Sequence, residues 1–395
     1  MPDTLVPMRI CLVYDCLYPH TIGGAERWYR NLSERLAADG HEVIYLTLRQ
    51  WDVGEDPGVP GVSVVPVGPR LELYVHGRRR IGPPLAFGLG VLRHLLRHGR
   101  GYDVVHTASF PYFSLLAAGV LRPSRGYRLV VDWFELWSRA YWREYLGPLG
   151  GRVGWAVQKL CLRIPQQAFC FSRLYERRLQ DEGVRGPVTL LSGLFEGEAA
   201  DAPRAAEPIV VFAGRHIPEK RPAALVSALA RAREAVPALR GQIFGDGPDR
   251  GQVLDLISRQ RLEGVVEAPG FVDGAVVEHA LDRALCLALP SSREGYGLVV
   301  LEALSRGTPA VVVRGEDNAA SEFIEDGENG FVAPTASAED LADAIVRVDE
   351  AGAAIRHTTL AWFVRNAERL SLGHSLDVVL RSYADKADGG VAPNA

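Results

Sequence analysis

The chain has 395 residues, of which 47% are hydrophobic and 23% charged, and its formal net charge is −4 at pH 7. This length suits two domains of roughly 150 to 200 residues each, and the slightly acidic balance gives no reason to expect a nucleic-acid partner. No apolar run approaches the ~20 residues of a membrane span, and the start MPDTLVPMRICLVYD lacks a basic region followed by an apolar core, so we expect a cytoplasmic protein.

Both halves of the chain alternate short β-rich apolar runs, glycine-containing turns and helix-patterned segments, which predicts parallel sheets. In the first half the predicted strands are RICLVY (9–14), EVIYLT (42–47), VSVVPV (62–67), DVVH (103–106), RLVVD (128–132) and AFCFS (168–172). In the second half they are PIVVFAG (208–214), GQIFG (241–245), VVEAPG (265–270), LCLALP (285–290) and PAVVV (309–313).

The polar, alanine-rich and proline-punctuated stretch 196–208 is the predicted linker. We therefore predict an α/β protein with two Rossmann-like parallel-sheet domains, residues 1–195 and 196–371, facing across a cleft at the carboxyl ends of their strands. A last helix, at about 372–388, either packs on the second domain or crosses back to the first.

The segment PSSREGYGLVVLEALSRGTP (290–309) places Glu294 and Glu302 across a turn between a buried strand and a helix. The N–H groups at a helix start favour an anion, and Gly295 and Gly297 let the backbone approach it closely. Glu302 is suited to a vicinal diol such as ribose, and Glu294 to a group beyond the phosphates. The alternative is a solvated loop followed by an ordinary acidic residue in a first helical turn.

The stretch FAGRHIPEKRP (212–222) places Arg215 and Lys220 after another strand. Arginine offers a planar fork to phosphate oxygens and lysine a compact charge. Lysine occurs only at positions 159, 220 and 386, so this arginine-rich chain uses it sparingly. We interpret the pair as phosphate ligands, the alternative being two solvated cations on a surface loop.

Gly23 and Gly24 end a loop between the first strand and the first helix. They do not form a G-x-G-x-x-G fingerprint, and no acidic residue closes the second strand as a dinucleotide site would require. They fit a second close backbone approach to a diphosphate.

Six motifs occur in an order that resembles the retaining glycosyltransferases of family 4, which have the GT-B fold. The motifs are GGAE, GRHIPEKR, GDGP, EGYGLVVLEA, GTPAVV and DGENGFVAP. The resemblance implies a nucleotide-diphosphate sugar as donor, held mainly by the second domain.

The resemblance also implies roles for individual residues. Arg215 and Lys220 match the family's diphosphate-binding pair. Glu294 and Glu302 match its E-x7-E pair, the first near the donor sugar and the second on the ribose. The other donor-binding positions that it implies are Gly23, Gly24, Gly245, Phe271, Val272, Gly295, Tyr296, Gly297 and Leu298, with Phe271 and Val272 at the base.

The sequence departs from the family at one position. Many relatives have a histidine that contacts the donor sugar where this chain has Phe134, which cannot donate a hydrogen bond. His106 is our candidate catalytic replacement, with Asp132 and Glu135 as alternatives. His106 can equally be a histidine whose partners lie within the fold.

No D-x-D triplet is present to hold a metal against a diphosphate, so we expect no metal site and no cofactor. The leaving-group charge would fall on Arg215 and Lys220. Because no carboxylate of the motifs has an obvious nucleophilic position, we favour front-face attack, in which the departing phosphate accepts the acceptor's proton.

We expect the acceptor to be a hydroxyl of a polysaccharide, a lipid-linked molecule or a natural product. Residues 70–102 carry seven arginines and one glutamate, and PPLAFGLGVLRHLLRHGRGY within them reads as a basic amphipathic helix. Such a helix suits an anionic acceptor or peripheral contact with an anionic membrane at its inner face, or is a solvated basic face. Aromatic residues between 133 and 155 form either a core stripe or an acceptor wall.

Two other classes of function fit the same fold. One is a glycosyl phosphorylase or nucleotide-sugar epimerase, and the other is a nucleotide-sugar sensor without catalysis. Intact Arg215, Lys220, Glu294 and Glu302 argue against the sensor.

Overall fold

The structure, a computed structural model, describes residues 6–75, 78–80 and 82–384. These residues form two compact units. The first runs up to Ser192 and resumes at Gly373, and the second is Gly193–Leu372.

The first unit contains a seven-stranded parallel sheet in the order β3-β2-β1-β6-β7-β8-β9. Its strands are β1 (Arg9–Val13), β2 (Glu42–Leu48), β3 (Val62–Gly68), β6 (Val104–Ala108), β7 (Arg128–Trp133), β8 (Gln167–Cys170) and β9 (Val188–Leu190). Their runs of valine, isoleucine and leucine suit strands that are covered on both faces. β4 (Tyr74–Val75) and β5 (Arg78–Arg79) form a short antiparallel pair.

Helices connect these strands. They are α1 (Gly24–Ala38), α2 (Gly82–His98), α3 (Tyr112–Arg125), α4 (Arg139–Leu162) and α5 (Arg173–Asp181). Ser138 and Ser172 cap α4 and α5, each accepting a hydrogen bond from the backbone N–H three residues on. The predicted basic helix is confirmed as α2, whereas residues 76, 77 and 81 of the basic segment 70–102 lie outside the described residues.

The second unit contains a six-stranded parallel sheet in the order β12-β11-β10-β13-β15-β17. Its strands are β10 (Ile209–Ala213), β11 (Arg240–Phe244), β12 (Val266–Gly270), β13 (Cys286–Leu289), β15 (Ala310–Val313) and β17 (Gly330–Ala333). A separate pair consists of β14 (Arg293–Glu294) and β16 (Asp317–Asn318). The prediction of two parallel-sheet α/β domains is confirmed.

The helices of the second unit follow its strands. They are α6 (Pro222–Ala232), α7 (Arg250–Arg259), α8 (Gly274–Arg283), α9 (Leu298–Leu304) and α10 (Ala338–Leu370). Residues 196–208, predicted as a linker, lie within this unit. The Ala200 N–H donates to the Ser305 carbonyl (2.8 Å), and the Glu207 N–H to the Arg283 carbonyl (2.7 Å).

The last helix, α11 (Leu372–Ala384), packs on the first unit. Arg128 donates to the carbonyls of Ser382 (2.7 Å) and Tyr383 (2.5 Å), and these bonds hold the carboxyl end of the helix. Arg35 forms an ion pair with Asp377 (2.8 Å). Positions 385–388 of the predicted helix lie outside the described residues.

All five cysteines are buried, and none forms a disulfide. Burial raises the pKa of the Cys286 thiol to about 12, which keeps it protonated. Within residues 6–75, 78–80 and 82–384, no helix combines the length and apolarity needed to cross a bilayer.

Candidate functional site

Two loops meet at the carboxyl ends of neighbouring strands in the second unit. β10 and β13 pair in parallel, so the loops that follow them leave the sheet at the same edge. The first loop carries Lys220 and the second Glu294, and Lys220 Nζ lies 2.5 Å from Glu294 Oε1. The Ser292 N–H also donates to the Glu219 carbonyl (2.8 Å). The structure thus brings together two residues that the sequence motifs singled out separately.

The carboxylate of Glu294 is held by residues that the sequence analysis did not identify. Glu294 is only 6% exposed, and the Ser291 hydroxyl donates to its Oε1 (2.8 Å). The Asn318 amide donates to the carbonyls of Ser291 (3.0 Å) and Val313 (2.8 Å). Ser291 lies within the motif, but Asn318 comes from β16, and no local pattern points to it.

Arg215 is exposed, and the loop that carries it is fixed against the loop that follows β11. The His216 N–H donates to the Asp246 carbonyl (2.8 Å). Gly245 has φ +117°, and a Cβ there would lie 1.9 Å from the Gly214 carbonyl oxygen. Glycine is therefore required at position 245 by the packing of two loops, whether or not a ligand approaches it.

Glu302 is half-buried and lies about one turn into α9. Gly297, the residue before this two-turn helix, has φ +94°, and a Cβ there would lie 2.6 Å from the Ala320 Cβ. Gly295 lies between β14 and Leu298, the first residue of α9. The turn that separates the two glutamates therefore depends on glycine for its own geometry.

The side chain of Tyr296 packs inside the second unit. The ring is buried and lies edge-on to Phe323, with 4.9 Å between centroids. Its hydroxyl accepts a hydrogen bond from the Leu194 N–H (3.2 Å), and burial raises the pKa of the phenol. Only the backbone of Tyr296 is thus a candidate for ligand contact.

Phe271 and Val272 directly follow β12, at the same edge of the sheet as the other loops. Phe271 is 73% exposed, and Val272 is half-buried. An aromatic ring that projects from a strand end is available for stacking on a planar group.

Gly23 and Gly24 lie at the start of α1 in the first unit. Gly23 is the N-cap, with an extended backbone that any residue adopts. Gly24 is exposed, has no positive φ, and a Cβ there would have no heavy atom within 4 Å. The described fold gives no reason for glycine at position 24.

The structure corrects our prediction that His106 contacts a sugar. His106 lies within β6 and has no exposed surface. Its Nδ1 lies 2.5 Å from the Tyr383 hydroxyl, and its Nε2 lies 2.8 Å from Asp132 Oδ1. His106 is therefore a core residue whose partners are supplied by β7 and α11.

The alternatives for the missing histidine are also constrained. Asp132 has no exposed surface and accepts a hydrogen bond from the Trp28 indole (2.8 Å). Phe134 is half-buried and stacks on Phe171, with 4.6 Å between centroids. Glu135 is half-buried and accepts from the Trp137 indole (2.9 Å). Of the three polar candidates, His106, Asp132 and Glu135, only Glu135 keeps exposed surface.

No group of three or more histidine, cysteine, aspartate or glutamate residues is arranged to hold a metal ion in the described part of the chain.

Two family models match the chain in succession. The model described as Glycosyltransferase Family 4 matches residues 22–193, and the one described as Glycosyl transferases group 1 matches residues 198–354. The chain is 26% identical over 381 residues to a glycogen synthase of Mycobacterium tuberculosis, covering 90% of this chain and 89% of that protein. It is 30% identical to an alpha-D-kanosaminyltransferase of Streptomyces kanamyceticus, over 36% of each chain.

Solved structures resemble the whole fold. Sucrose-phosphate synthase from Thermosynechococcus elongatus aligns with a TM-score of 0.77 at 20% identity, over 95% of this chain and 98% of that one. Anabaena Alr3699/HepE, crystallised with UDP and glucose, aligns with a TM-score of 0.69 at 16% identity, over 96% and 100%.

The parallel sheets, the order of the motifs and the two successive family matches agree. The chain belongs to family 4 of the glycosyltransferases and has the GT-B fold.

Proposed function

We propose that this glycosyltransferase takes a sugar from a nucleotide-diphosphate sugar and transfers it, with retention and without a metal, to a hydroxyl acceptor. The observation that carries the proposal is the contact between Lys220 and Glu294 at the carboxyl ends of β10 and β13. The contact joins Lys220, a residue type that binds phosphate, to Glu294, the carboxylate proposed to lie near the donor sugar.

Lys220 and Arg215 supply the charge that the departing diphosphate needs. An ammonium has three N–H donors, so Lys220 can hold Glu294 and a phosphate oxygen together. Arg215 is exposed on the same loop, where its guanidinium can bind two phosphate oxygens at once. Two such cations stabilise the leaving group in the transition state, and this supports a reaction that needs no metal.

The surroundings of Glu294 favour the front-face route to retention over a double displacement through this carboxylate. Its carboxylate is nearly buried and is held by an ammonium and a hydroxyl, which makes it a weak nucleophile. In the front-face reaction, the bond from the anomeric carbon to the phosphate oxygen breaks as the bond to the acceptor oxygen forms. The acceptor's proton passes to the phosphate oxygen, and a nucleoside diphosphate leaves.

The remaining contacts of the donor are assigned by position. Glu302 holds the ribose, Phe271 and Val272 hold the base, and the backbone of 295–298 holds phosphate and sugar. The solved relative crystallised with UDP and glucose supports a uridine nucleotide as the first donor to test. The acceptor is a hydroxyl compound that is anionic or lipid-linked.

The test is a thermal-shift screen of UDP, GDP and ADP, followed by product analysis with the corresponding sugars. We expect one nucleotide to raise the melting temperature and its sugar to be hydrolysed slowly when no acceptor is present. A released sugar with the donor's anomeric configuration supports retention. An epimerised sugar nucleotide, or nucleotide binding without turnover under any condition, would reject the transferase reaction.

A further inference from the structure

Three neighbouring helices of the first unit cover one face of its sheet. The connections from β3 to β6, β6 to β7 and β7 to β8 all advance in the same direction through the sheet. Because parallel connections are right-handed, α2, α3 and α4 lie on the same face, and α1, whose connection runs the other way, lies on the opposite face.

The three helices are packed closely on one another. A Cβ at Gly88 of α2 would lie 2.4 Å from the Phe113 Cβ of α3. The Tyr112 hydroxyl of α3 donates to Gln158 of α4 (2.9 Å). The helices therefore present one continuous outer surface.

That surface is apolar at positions where a solvated helix is normally polar. On α2 the side chains of Leu85, Leu89 and Leu96 are exposed, at spacings of four and seven residues that keep them on one stripe. On α3, Val120 is 72% exposed.

Helix α4 repeats the pattern. Leu149, Val153 and Leu160 are exposed at the same spacings of four and seven residues. All three follow Gly147, where non-helical backbone divides α4 in two, so they lie on its second, regular part. Single exposed apolar side chains are common, but two such stripes, on helices that both pack on α3, indicate an interaction surface.

The charge on these helices identifies the partner. Helices α2, α3 and α4 carry eight arginine or lysine residues, two, two and four respectively, against the single acid Glu144. Arg93, Arg97 and Arg152 are exposed. On the opposite face, α1 carries three arginines and two glutamates, a nearly balanced set. The helices that carry the apolar stripes therefore have a larger excess of positive charge than α1, even though Lys159 pairs with Glu182.

We propose that the outer surface of α2, α3 and α4, called here the basic apolar face, docks on an anionic lipid bilayer. Leucine and valine side chains on convex helices enter the boundary between headgroups and acyl chains, while arginines extend along them to the phosphates. A protein partner would need complementary acids, and a second copy of this face would oppose arginine to arginine. The inference is independent of the reaction proposed above.

The first experiment uses the unaltered full chain. It measures co-sedimentation with phosphatidylcholine vesicles and with vesicles that contain about 30 mol% phosphatidylglycerol, a composition that gives a negative surface potential. We expect binding to the anionic vesicles only. Binding should fall severalfold between about 0.1 M and 1 M salt, because the Debye length shortens from about 10 Å to about 3 Å.

Two variants separate the apolar and the charged contributions. Leu89→Gln with Val153→Gln removes one apolar side chain from each stripe, and Leu254→Gln with Val364→Gln is the matched control on exposed positions of the second unit. Arg93→Gln with Arg152→Gln should weaken binding by about fivefold for each arginine removed. Its control, Arg27→Gln with Arg259→Gln, makes the same change of charge elsewhere.

Loss of vesicle binding in both test variants, with both controls like the wild type and all four melting temperatures unchanged, supports the proposal. If the apolar variant does not fold, the charge variant and the salt dependence of the wild type still test whether the basic apolar face binds anionic vesicles. Equal affinity for neutral and anionic vesicles, no binding to either, or self-association that the apolar variant abolishes would overturn it.

Discussion

Lys220 and Glu294 are 74 residues apart in the chain, yet Lys220 Nζ lies 2.5 Å from Glu294 Oε1. The contact exists because β10 and β13 are adjacent parallel strands whose following loops leave the sheet at one edge. It ties the cation proposed to bind phosphate to the carboxylate proposed to lie near the sugar.

Lys220→Ala removes that cation. We expect turnover to fall by an amount equivalent to about 2 to 4 kcal/mol of transition-state stabilisation, comparable to the loss of one preorganised donor. Initial rates with the nucleotide sugar measure the effect. Lys159→Ala is the matched control, because Lys159 pairs with Glu182 in the first unit and is outside the proposed site. Wild-type turnover in Lys220→Ala would rule out the proposed role.

Glu302→Ala and Glu294→Ala should have different effects. Removing Glu302 takes away hydrogen bonds to the ribose from a charged acceptor, which should weaken nucleoside diphosphate binding by about 10- to 100-fold. Removing Glu294 should lower turnover while the nucleoside diphosphate still binds. Calorimetric titration with the diphosphate, beside initial rates, separates the two. Equal loss of affinity in both variants would contradict the assignment.

Gly24→Ala tests the first unit. A Cβ at this exposed helical position meets no neighbour. Alanine should therefore leave the free energy of unfolding unchanged or raise it by up to about 1 kcal/mol, which the melting temperature reports. Affinity for the donor should fall if the backbone there approaches a diphosphate. Gly40→Ala is the control at the other end of α1, where φ is +86°. It should cost about 1 kcal/mol of stability and leave donor affinity unchanged.

Removal of divalent metal ions tests the source of the leaving-group stabilisation. Because Arg215 and Lys220 are proposed to carry that charge, activity should persist in excess chelator. Rates before and after chelation, with Mg²⁺ or Mn²⁺ added back, give the measurement. Complete loss that a metal restores would show that a metal, and not these cations, stabilises the diphosphate.

Tyr383→Phe tests how α11 is anchored. The change leaves Nδ1 of the fully buried His106 without its hydroxyl partner, which should cost about 1 to 3 kcal/mol of stability. Asp377→Ala, on the same helix, breaks only an exposed ion pair with Arg35 and should cost at most about 1 kcal/mol. Thermal unfolding compares the two variants. Turnover well below the melting temperature should be unaffected in both, because neither residue lies in the proposed site.

The sequence by itself determined the parallel sheets and the residues at their carboxyl ends. Strands such as RICLVY and PIVVFAG could be identified because an apolar β-rich run, a glycine turn and a helical period are local patterns. Lys220 and Glu294 each lie within a few residues of such a strand end, so a short motif locates each of them.

Only the tertiary structure decided which polar residues face the core. His106 follows a strand pattern that fits a ligand contact as well as a core position, and the residue that settles its environment, Tyr383, lies 277 positions later. Asn318 is likewise supplied by a different segment, β16. Its amide donates to the carbonyl of Ser291, the residue whose hydroxyl holds Glu294. The exposed stripe on α4 depends on which side of the helix the sheet covers. Hydrogen-bond partners and burial are set by how elements pack, and residues that are distant in sequence determine that packing.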